Sequence, residues 1–337
     1  MAEGHVDNRL DSWRTGILVL VVALVAGFVT ARWFGAGDDG PEPVSVSRPL
    51  MGTIVTVTVP GADDPSVRAE AAEHVAAALD EMARVDSLFS WRLPPPVSMP
   101  RSEQLAQRRD LLEMAVAVQR ASGGAFDPRV LPLVQAWGFD GGEPTVPADT
   151  VLARLVAGLR EAGLPRDAVE LESRPDAIHF GAWAKGHAVD RALAVLERRG
   201  QTAALVNAGG EVRGYGRRWT VGVQHPRLPG ALIARLEPGE MAVATSGDYE
   251  QYFEQDGVRY HHLLDPRTGR PARGCRSVTV LARTCARADA LATAAFVLGP
   301  DAGMDLIGSL ANVEALIIDA DGDRHDSSGL AAYLSRD

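Results

Sequence analysis

The chain has 337 residues, of which 46% are hydrophobic and 23% are charged, a length that suffices for one large domain or two intimate ones. Its formal net charge of -10 argues against nucleic-acid binding, which depends on Lys and Arg to neutralise phosphates. Its two cysteines, Cys275 and Cys285, fit either two free thiols or, outside the cytoplasm, a disulfide. The sequence has no Cys/His spacing typical of structural zinc.

An apolar stretch lies close to the N-terminus. It runs between Arg14 and Arg32 without a charge, for about 17 residues, which is the short end of a membrane-spanning helix. Arg9 and Arg14 precede it, which favours a cytoplasmic N-terminus and an exported remainder. We therefore interpret 15–33 as a membrane anchor, with a signal segment cleaved after Ala31 as the alternative.

On either side of this apolar stretch, the chain is predicted to form a tail, a linker and a folded part. Residues 1–14 are predicted to be a cytoplasmic tail, and residues 34–48, rich in Gly, Asp and Pro, are predicted to be a linker. Residues 49–337 then form the folded part.

Within the folded part, strands and helices alternate at uneven intervals. A β-branched strand over 52–59 is followed by Asp64 and Pro65, which predict the start of a helix. Strands dominate from 203 to 281, with a hairpin turn at 255–257. Further helices are predicted over 103–121, 148–162 and 183–199 and from about 287 and 302. This order predicts an α+β fold with mixed or antiparallel sheets flanked by helices, preceded by the N-terminal apolar helix.

Two segments have features of anion-binding sites. Gly209 and Gly210 follow the apolar strand ALVNA, and a glycine pair there lets backbone N–H groups approach an anion or a flat ring; a plain turn is the alternative. The spacing is not GxGxxG, so a Rossmann fingerprint is excluded. Lys185 lies at a predicted helix start, where a lysine is mildly unfavourable unless it has an anionic partner; a solvated lysine is the alternative.

The sequence also contains candidate metal ligands with hard oxygen atoms and a candidate catalytic histidine. Asp289 and Thr293 are four residues apart and share a helix face, which suits Mg²⁺. The alternative is that Asp289 favours the helix N-terminus and Thr293 bonds back to a main-chain carbonyl. His261 and His262 are adjacent in a predicted strand, so their side chains point to opposite faces and only one faces a site. A histidine near a carboxylate at a strand end can act as a general acid or base.

Taken together, these residues resemble the ApbE family of FAD:protein FMN transferases. The resemblance extends from about Met51 to Gly299 and rests on seven blocks in the family's order. The blocks are Met51-Gly52-Thr53, GAFDPRVLPLVQAWGF (124–139), AWAKGHAVD (182–190), NAGGEVRGYG (207–216), TSGDYEQYF (245–253), HHLLDPRTGRP (261–271) and ADALATA (288–294).

The resemblance implies an exported α+β enzyme, and together with the predicted anchor this places the enzyme in the bacterial inner membrane with its catalytic domain extracytoplasmic. Such an enzyme binds FAD and Mg²⁺, moves FMN onto a threonine hydroxyl of a partner protein and releases AMP. Family acceptors include subunits of membrane redox pumps, recognised through a short sequence ending in Ala-Thr.

The resemblance also implies roles for individual residues. His262 would be the catalytic histidine, with His261 the more replaceable neighbour. The metal would be held by Asp289, Thr293 and the main-chain carbonyl of Ala184. The flavin nucleotide site would be lined by Met51, Lys185, Asp190, Gly209, Gly210, Glu211, Thr245, Ser246, Gly247 and Asp265.

The chain departs from the family pattern after Phe89-Ser90. It reads WRLPPPVSMPRSEQL where the family has a tyrosine-bearing turn, and this region helps to shape the nucleotide pocket. Two other functions therefore stay open: an FAD pyrophosphatase that yields FMN and AMP, and a flavin-binding protein without catalysis.

Overall fold

The computed structural model describes residues 41–90, 98–164 and 178–335, together with residues 93, 96 and 170. The predicted tail and membrane segment, 1–33, lie outside the described residues, as do 34–40 of the predicted linker. Among the described residues, no helix is both long enough and apolar enough to span a bilayer.

The centre of the molecule is an antiparallel sheet with the strand order β1-β2-β3-β4-β7-β12-β13-β14. Strands β12 and β13 are buried along most of their length, because successive side chains point to opposite sides of a strand and both faces of the sheet are covered here. The strands of this sheet are β1 (Val44–Leu50), β2 (Thr53–Val59), β3 (Ala204–Ala208), β4 (Val212–Tyr215), β7 (Ala242–Gly247), β12 (Cys275–Ala282), β13 (Glu314–Asp319) and β14 (Arg324–Asp326).

Shorter strands form three separate hairpins. β5 (Val221–Gln224) pairs with β6 (Leu232–Leu236), β8 (Tyr252–Gln255) with β9 (Val258–His261), and β10 (Leu264–Asp265) with β11 (Arg270–Pro271). The predicted turn at 255–257 is confirmed, since Asp256 and Gly257 both have positive φ, at 53° and 74°, as a two-residue hairpin loop requires.

Helices pack on one face of the sheet and against one of the hairpins. They are α1 (Pro65–Phe89), α2 (Arg101–Ala121), α3 (Leu131–Ala136), α4 (Asp149–Glu161), α5 (Ala184–Arg198), α6 (Cys285–Leu298) and α7 (Pro300–Gly308). Helices α1, α2, α5, α6 and α7 pack on the sheet face, and α3 and α4 pack against the β8–β9 hairpin. Asp64 caps α1 as predicted: its side chain accepts a hydrogen bond from the Ser66 N–H, and Pro65 occupies the first turn.

Three apolar clusters hold these layers together. The largest lies between the sheet and helices α1, α5 and α6, and includes Val57, Val206 and Ile317. A second covers the opposite sheet face, where Leu205 and Leu316 meet the β5–β6 hairpin. The third, which we call the aromatic cluster, joins α3 and α4 to β8 and β9 through Trp137, Phe139, Leu152, Val156, Leu264, Phe253 and Tyr260.

The predicted α+β class with antiparallel sheets and flanking helices is confirmed, and two boundaries change. Residues 44–48, assigned to the linker, form most of β1 and pair along their whole length with β2. Their polar residues alternate with Val44 and Val46, a pattern that suits an edge strand with one exposed face. The strand predicted to continue through both histidines ends at His261.

Candidate active site

The turn between β1 and β2 has an uncommon backbone conformation. Met51 and Gly52 form its two-residue loop, with φ angles of 52° and 73°. Left-handed backbone is uncommon for a residue with a side chain, and such positions are frequent at binding sites. The Met51 N–H donates to Asp86 Oδ2 at 3.3 Å, and burial raises the pKa of the Asp86 carboxyl. The structure thus holds Met51 against α1 at the end of the sheet.

The glycine pair lies beside this turn, in the loop between β3 and β4. Both glycines have positive φ, and a Cβ on Gly209 would lie 2.1 Å from Thr53 Oγ1, so a side chain there is excluded. The N–H groups of Gly209 and Gly210 donate to Asn207 Oδ1, at 3.1 and 3.4 Å. Asn207 accepts from both amides, and the glycines allow close packing of the loop against β2; the contact of this loop with a nucleotide stays a prediction.

Lys185 and Glu211 form a buried ion pair next to these glycines. Lys185 Nζ lies 2.9 Å from Glu211 Oε1, and the Glu211 side chain is only 2% exposed. The other carboxylate oxygen, Glu211 Oε2, is buried without a hydrogen-bond partner among the described residues. The anionic partner that Lys185 was expected to need at a helix start is thus, in this structure, another side chain of the protein.

Two further carboxylates surround the same ammonium group. Burial disfavours the charged form of Lys185, but Glu211, Glu250 and Asp289 outweigh it and raise the Lys185 pKa above its ordinary range. Burial, with the Glu211 charge, raises the pKa of Asp289 well above normal. Burial also raises the pKa of Glu250 to about 7, against the attraction of Lys185. If all three carboxyls were ionised, two negative charges would stay uncompensated by Lys185, and this is why the pKa values of Asp289 and Glu250 rise. A divalent cation would offset those charges and favour the ionised forms.

The predicted metal ligands come together where α5 begins against α6. Asp289 Oδ2 accepts the Gly186 N–H at 3.1 Å, two residues after Ala184, the first residue of α5. A Cβ on Gly186 would lie 2.4 Å from the Cys285 carbonyl oxygen, so a glycine is needed for the helices to approach this closely. A carboxylate, a hydroxyl and a carbonyl suit Mg²⁺, which keeps several waters or substrate oxygens. No group of three His, Cys, Asp or Glu side chains able to hold a metal occurs among the described residues.

The end of β7 forms one side of the same region. Thr245 Oγ1 lies 2.9 Å from Thr279 Oγ1 on β12, and Ser246 Oγ lies 3.4 Å from Thr293 Oγ1 on α6. Because successive strand residues face opposite sides, Thr245 and Ser246 attach to different elements. The predicted nucleotide wall 245–247 therefore meets the predicted metal ligand Thr293.

The two histidines have different environments and opposite tautomers. His261 is buried, and its Nε2 lies 2.7 Å from the Ala272 carbonyl oxygen. His262 is half-buried, and its Nδ1 lies 3.2 Å from the Gln251 carbonyl oxygen. A carbonyl oxygen only accepts, so the proton is on Nε2 in His261 and on Nδ1 in His262. His262 thus keeps the Nε2 lone pair that a general base needs.

The charge state of His262 supports this assignment. Burial, followed by the positive neighbours His261 and Lys185, lowers the pKa of His262 to about 4, against the hydrogen bond to Gln251. The ring is therefore neutral at physiological pH and able to accept a proton.

Two of the predicted nucleotide-lining residues have structural partners instead. Asp190 Oδ1 accepts hydrogen bonds from Arg213 at 2.6 Å and from the Cys285 N–H at 3.0 Å. Asp190 Oδ2 accepts from the Ala286 N–H at 3.1 Å, so this side chain caps the start of α6. Asp265 accepts from the Arg267 N–H and guanidinium at 2.9–3.0 Å and organises its own turn. These contacts give both carboxylates a structural role, and their predicted contact with the nucleotide stays a prediction.

Glu250 is a site residue that the sequence reasoning did not single out. It lies within the block TSGDYEQYF (245–253), and its position close to Lys185 and Glu211 depends on the fold. The cysteines are now also assigned: Cys275 and Cys285 are both buried free thiols.

Comparisons with known proteins identify the family of the whole chain. The ApbE family model matches residues 51–317. A Vibrio cholerae protein named FAD:protein FMN transferase is 32% identical over 89% of this chain and 96% of its own length. A Treponema pallidum protein of the same name is 30% identical over 94% of each chain. The crystal structure of an ApbE protein from Thermotoga maritima superposes with a TM-score of 0.73 at 29% identity, covering 88% of this chain and all of that one.

Proposed function

The chain belongs to the ApbE family, and we propose that it is an FAD:protein FMN transferase that moves FMN from FAD onto a threonine hydroxyl of an exported or membrane acceptor protein and releases AMP. The family match and the relatives' shared name support the transferase activity. The observation that carries the proposal is that His262 is neutral and has an unprotonated Nε2. His262 is also close enough to Lys185 for the lysine charge to affect the histidine pKa.

The proposed reaction exchanges one phosphorus–oxygen bond for another. The threonine Oγ attacks the phosphorus on the FMN side of the FAD pyrophosphate, and the bond from that phosphorus to the oxygen of the AMP half breaks. The hydroxyl proton passes to His262 Nε2, and AMP leaves. Positioning and neutralisation of charge contribute most to such transfers, and a general base adds roughly 10²- to 10⁴-fold.

Different residues of the site would neutralise charge and bind the nucleotide. Lys185 adds a positive charge at the start of α5, where an anionic phosphate is also favoured by the helix. Gly209 packs against Thr53, close to Met51, and Gly210 lies near the Thr245 carbonyl. Met51, Thr245 and Ser246 would therefore line the nucleotide site. Because Glu211 Oε2 has no protein donor among the described residues, it can accept a hydrogen bond from the nucleotide.

We further propose that Mg²⁺ takes part. Asp289, Thr293 and the Ala184 carbonyl would hold the ion, and the excess of buried carboxylate charge around Lys185 supports a divalent cation there. When bound, Mg²⁺ supplies neutralisation of the pyrophosphate charge.

The location of the enzyme is part of the proposal. The apolar segment 15–33, preceded by Arg9 and Arg14, supports an anchor in the bacterial inner membrane with the catalytic domain extracytoplasmic. An exported acceptor would then meet the site on the same side of the membrane.

The direct test uses the purified full-length chain in detergent with FAD, Mg²⁺ and a small acceptor protein carrying a sequence that ends in Ala-Thr. Transfer predicts that the acceptor becomes covalently fluorescent and that AMP appears in equal amount. AMP with free FMN and an unlabelled acceptor would instead identify a pyrophosphatase. FAD binding without either product would identify a flavin-binding protein.

The base is tested with His262→Ala. We expect this variant to bind FAD normally and to lose roughly 10²- to 10⁴-fold in turnover. His261→Gln is the matched control, because a glutamine amide can still donate to the Ala272 carbonyl; we expect its turnover to stay within a few-fold of wild type. Unchanged turnover in His262→Ala would remove His262 from the mechanism.

A further inference from the structure

We infer that Gln251 is a positioning residue that sets the tautomer of the catalytic base; the inference rests on the proposed function, in which His262 accepts the threonine proton. The Gln251 carbonyl oxygen accepts two hydrogen bonds from His262, from its backbone N–H at 3.0 Å and from its Nδ1 at 3.2 Å. One oxygen therefore fixes both the backbone and the ring of the base.

The Gln251 carbonyl is itself held by the side chain of the same residue. Gln251 Nε2 donates to the Phe139 carbonyl oxygen at 3.0 Å, although the residue lies mostly at the surface. This contact crosses from the loop before β8 to the segment after α3, 112 positions away in the chain. The side chain thus connects the loop to a distant part of the fold.

The anchor at Phe139 is rigid because it belongs to the aromatic cluster. The Phe139 ring packs on Phe253 with centroids 5.7 Å apart, and Phe253 stacks on Tyr260 at 5.3 Å. Trp137 Nε1 also donates to the Gly269 carbonyl at 2.8 Å, which ties the segment after His262 to the same cluster. Phe139 therefore offers a fixed acceptor for the Gln251 amide.

This arrangement has a chemical consequence for His262. With the proton held on Nδ1, the Nε2 lone pair is available before substrate binds, so no tautomer exchange precedes proton transfer. Without the Gln251 side-chain anchor, only the His262 backbone N–H would hold the carbonyl; the carbonyl would shift relative to Nδ1, and the proton could move to Nε2, where it would block the base.

The test compares three variants of the full-length chain. Gln251→Met keeps the side-chain length but has no donor for the Phe139 carbonyl. Gln251→Arg restores N–H donors. Gln255→Met makes the same chemical change at an exposed position at the end of β8 and serves as the matched control.

Two readouts are measured on each protein. The first is ¹⁵N NMR of histidine-labelled chain, in which His262 is identified by its loss in His262→Ala, and which distinguishes the protonated from the bare ring nitrogen. The second is steady-state transfer, separated into kcat and the KM for FAD. The NMR readout needs no acceptor and no turnover.

We expect Nδ1–H at His262 in wild type, Gln251→Arg and Gln255→Met, and a shift toward Nε2–H in Gln251→Met. In Gln251→Met, kcat should fall about tenfold, a fraction of the full contribution of a base, while the KM for FAD stays within about twofold. A bare Nδ1 in wild type, or a Gln251→Met protein with wild-type tautomer and kcat, would overturn the inference.

A wild-type chain that retains Nδ1–H but transfers no FMN would have a different meaning. It would overturn the proposed function, and with it the catalytic role of Gln251, while the tautomer assignment itself would stand. The two failures are therefore distinguishable by the combination of spectrum and turnover.

Discussion

Lys185 Nζ lies 2.9 Å from Glu211 Oε1, while the second oxygen of the Glu211 carboxylate is buried without a partner among the described residues. Removal of one member of a buried pair leaves an uncompensated charge, which typically costs more than the pair contributed. We predict that Lys185→Met lowers the free energy of unfolding by about 3 kcal/mol. Urea denaturation of the purified chain without FAD measures this.

The double variant separates charge from packing. Lys185→Met/Glu211→Met removes both charges and should recover most of the lost stability, yet it should still fail to bind FAD. A single variant as stable as wild type would show that the pair is not buried in solution.

Asp289 should couple metal binding to stability. Without a cation, its buried carboxylate is disfavoured, so we predict that Asp289→Asn raises the midpoint of thermal unfolding at neutral pH in the presence of EDTA. Mg²⁺ should raise the midpoint of the wild type and leave that of Asp289→Asn unchanged.

Asp305 provides the control for this prediction. It lies on α7 at a position of no predicted role, and Asp305→Asn should keep the wild-type response to Mg²⁺. An equal response to Mg²⁺ in all three proteins would place the metal away from Asp289.

Glu250 should make stability depend on pH. Its pKa rises from an ordinary value of 4.5 to about 7 in the folded protein, so the folded state retains a proton that the unfolded state releases. Its contribution to stability is therefore full below about pH 4.5 and is lost as pH rises through about 7. We predict that Glu250→Gln, which cannot ionise, becomes more stable relative to wild type across this window.

The measurement is the difference between the two unfolding midpoints at several pH values. His262, whose pKa is lowered to about 4, has the opposite pH dependence, but it is present in both proteins and cancels in the difference. A difference that stays constant from pH 4.5 to 7.5 would rule out a buried, ionisable Glu250.

Gly209 should tolerate no side chain. Its φ is +77° and a Cβ would lie 2.1 Å from Thr53 Oγ1, so Gly209→Ala combines backbone strain with a steric clash. We predict a loss of about 2–3 kcal/mol in stability, with weaker FAD binding because the β2 and β3 ends separate. Chemical denaturation and fluorescence titration with FAD measure the two effects.

Gly200→Ala isolates the backbone contribution. Gly200 also has positive φ, at +82°, but no heavy atom lies within 4 Å of its added Cβ. This variant should cost about 1 kcal/mol and leave FAD affinity unchanged. Equal losses in both variants would show that Thr53 moves aside without cost.

Local patterns predicted much of the fold and part of the site. The start of α1 and the 255–257 hairpin followed from Asp64, Pro65 and the Asp-Gly turn, because caps and turns depend on neighbouring residues. The one-turn spacing of Asp289 and Thr293 likewise placed both on one helix face. These features need no knowledge of distant contacts.

The rest depended on contacts between distant segments. No local pattern indicates that Asn207 occupies the glycine amides, or that Asp190 caps α6 across 95 positions of chain. The tautomers of His261 and His262 are set by carbonyls eleven positions away, on opposite sides in the chain. Glu250 comes close to the charged groups Lys185 and Glu211 only when the segment after β7 packs against α5 in the folded protein.

The strand order of the sheet has a consequence for how the protein matures. Under the proposed function, Met51 after β1 and residues of β7 would contact the nucleotide and Thr293 on α6 would hold the metal, with β3, β4, β7 and β12 between Met51 and Thr293 in the chain. A chain whose α6 has not yet docked would then lack part of this site. FAD would bind the completed fold and stabilise it by mass action. The proposed substrate would thus selectively stabilise those chains whose folding is complete.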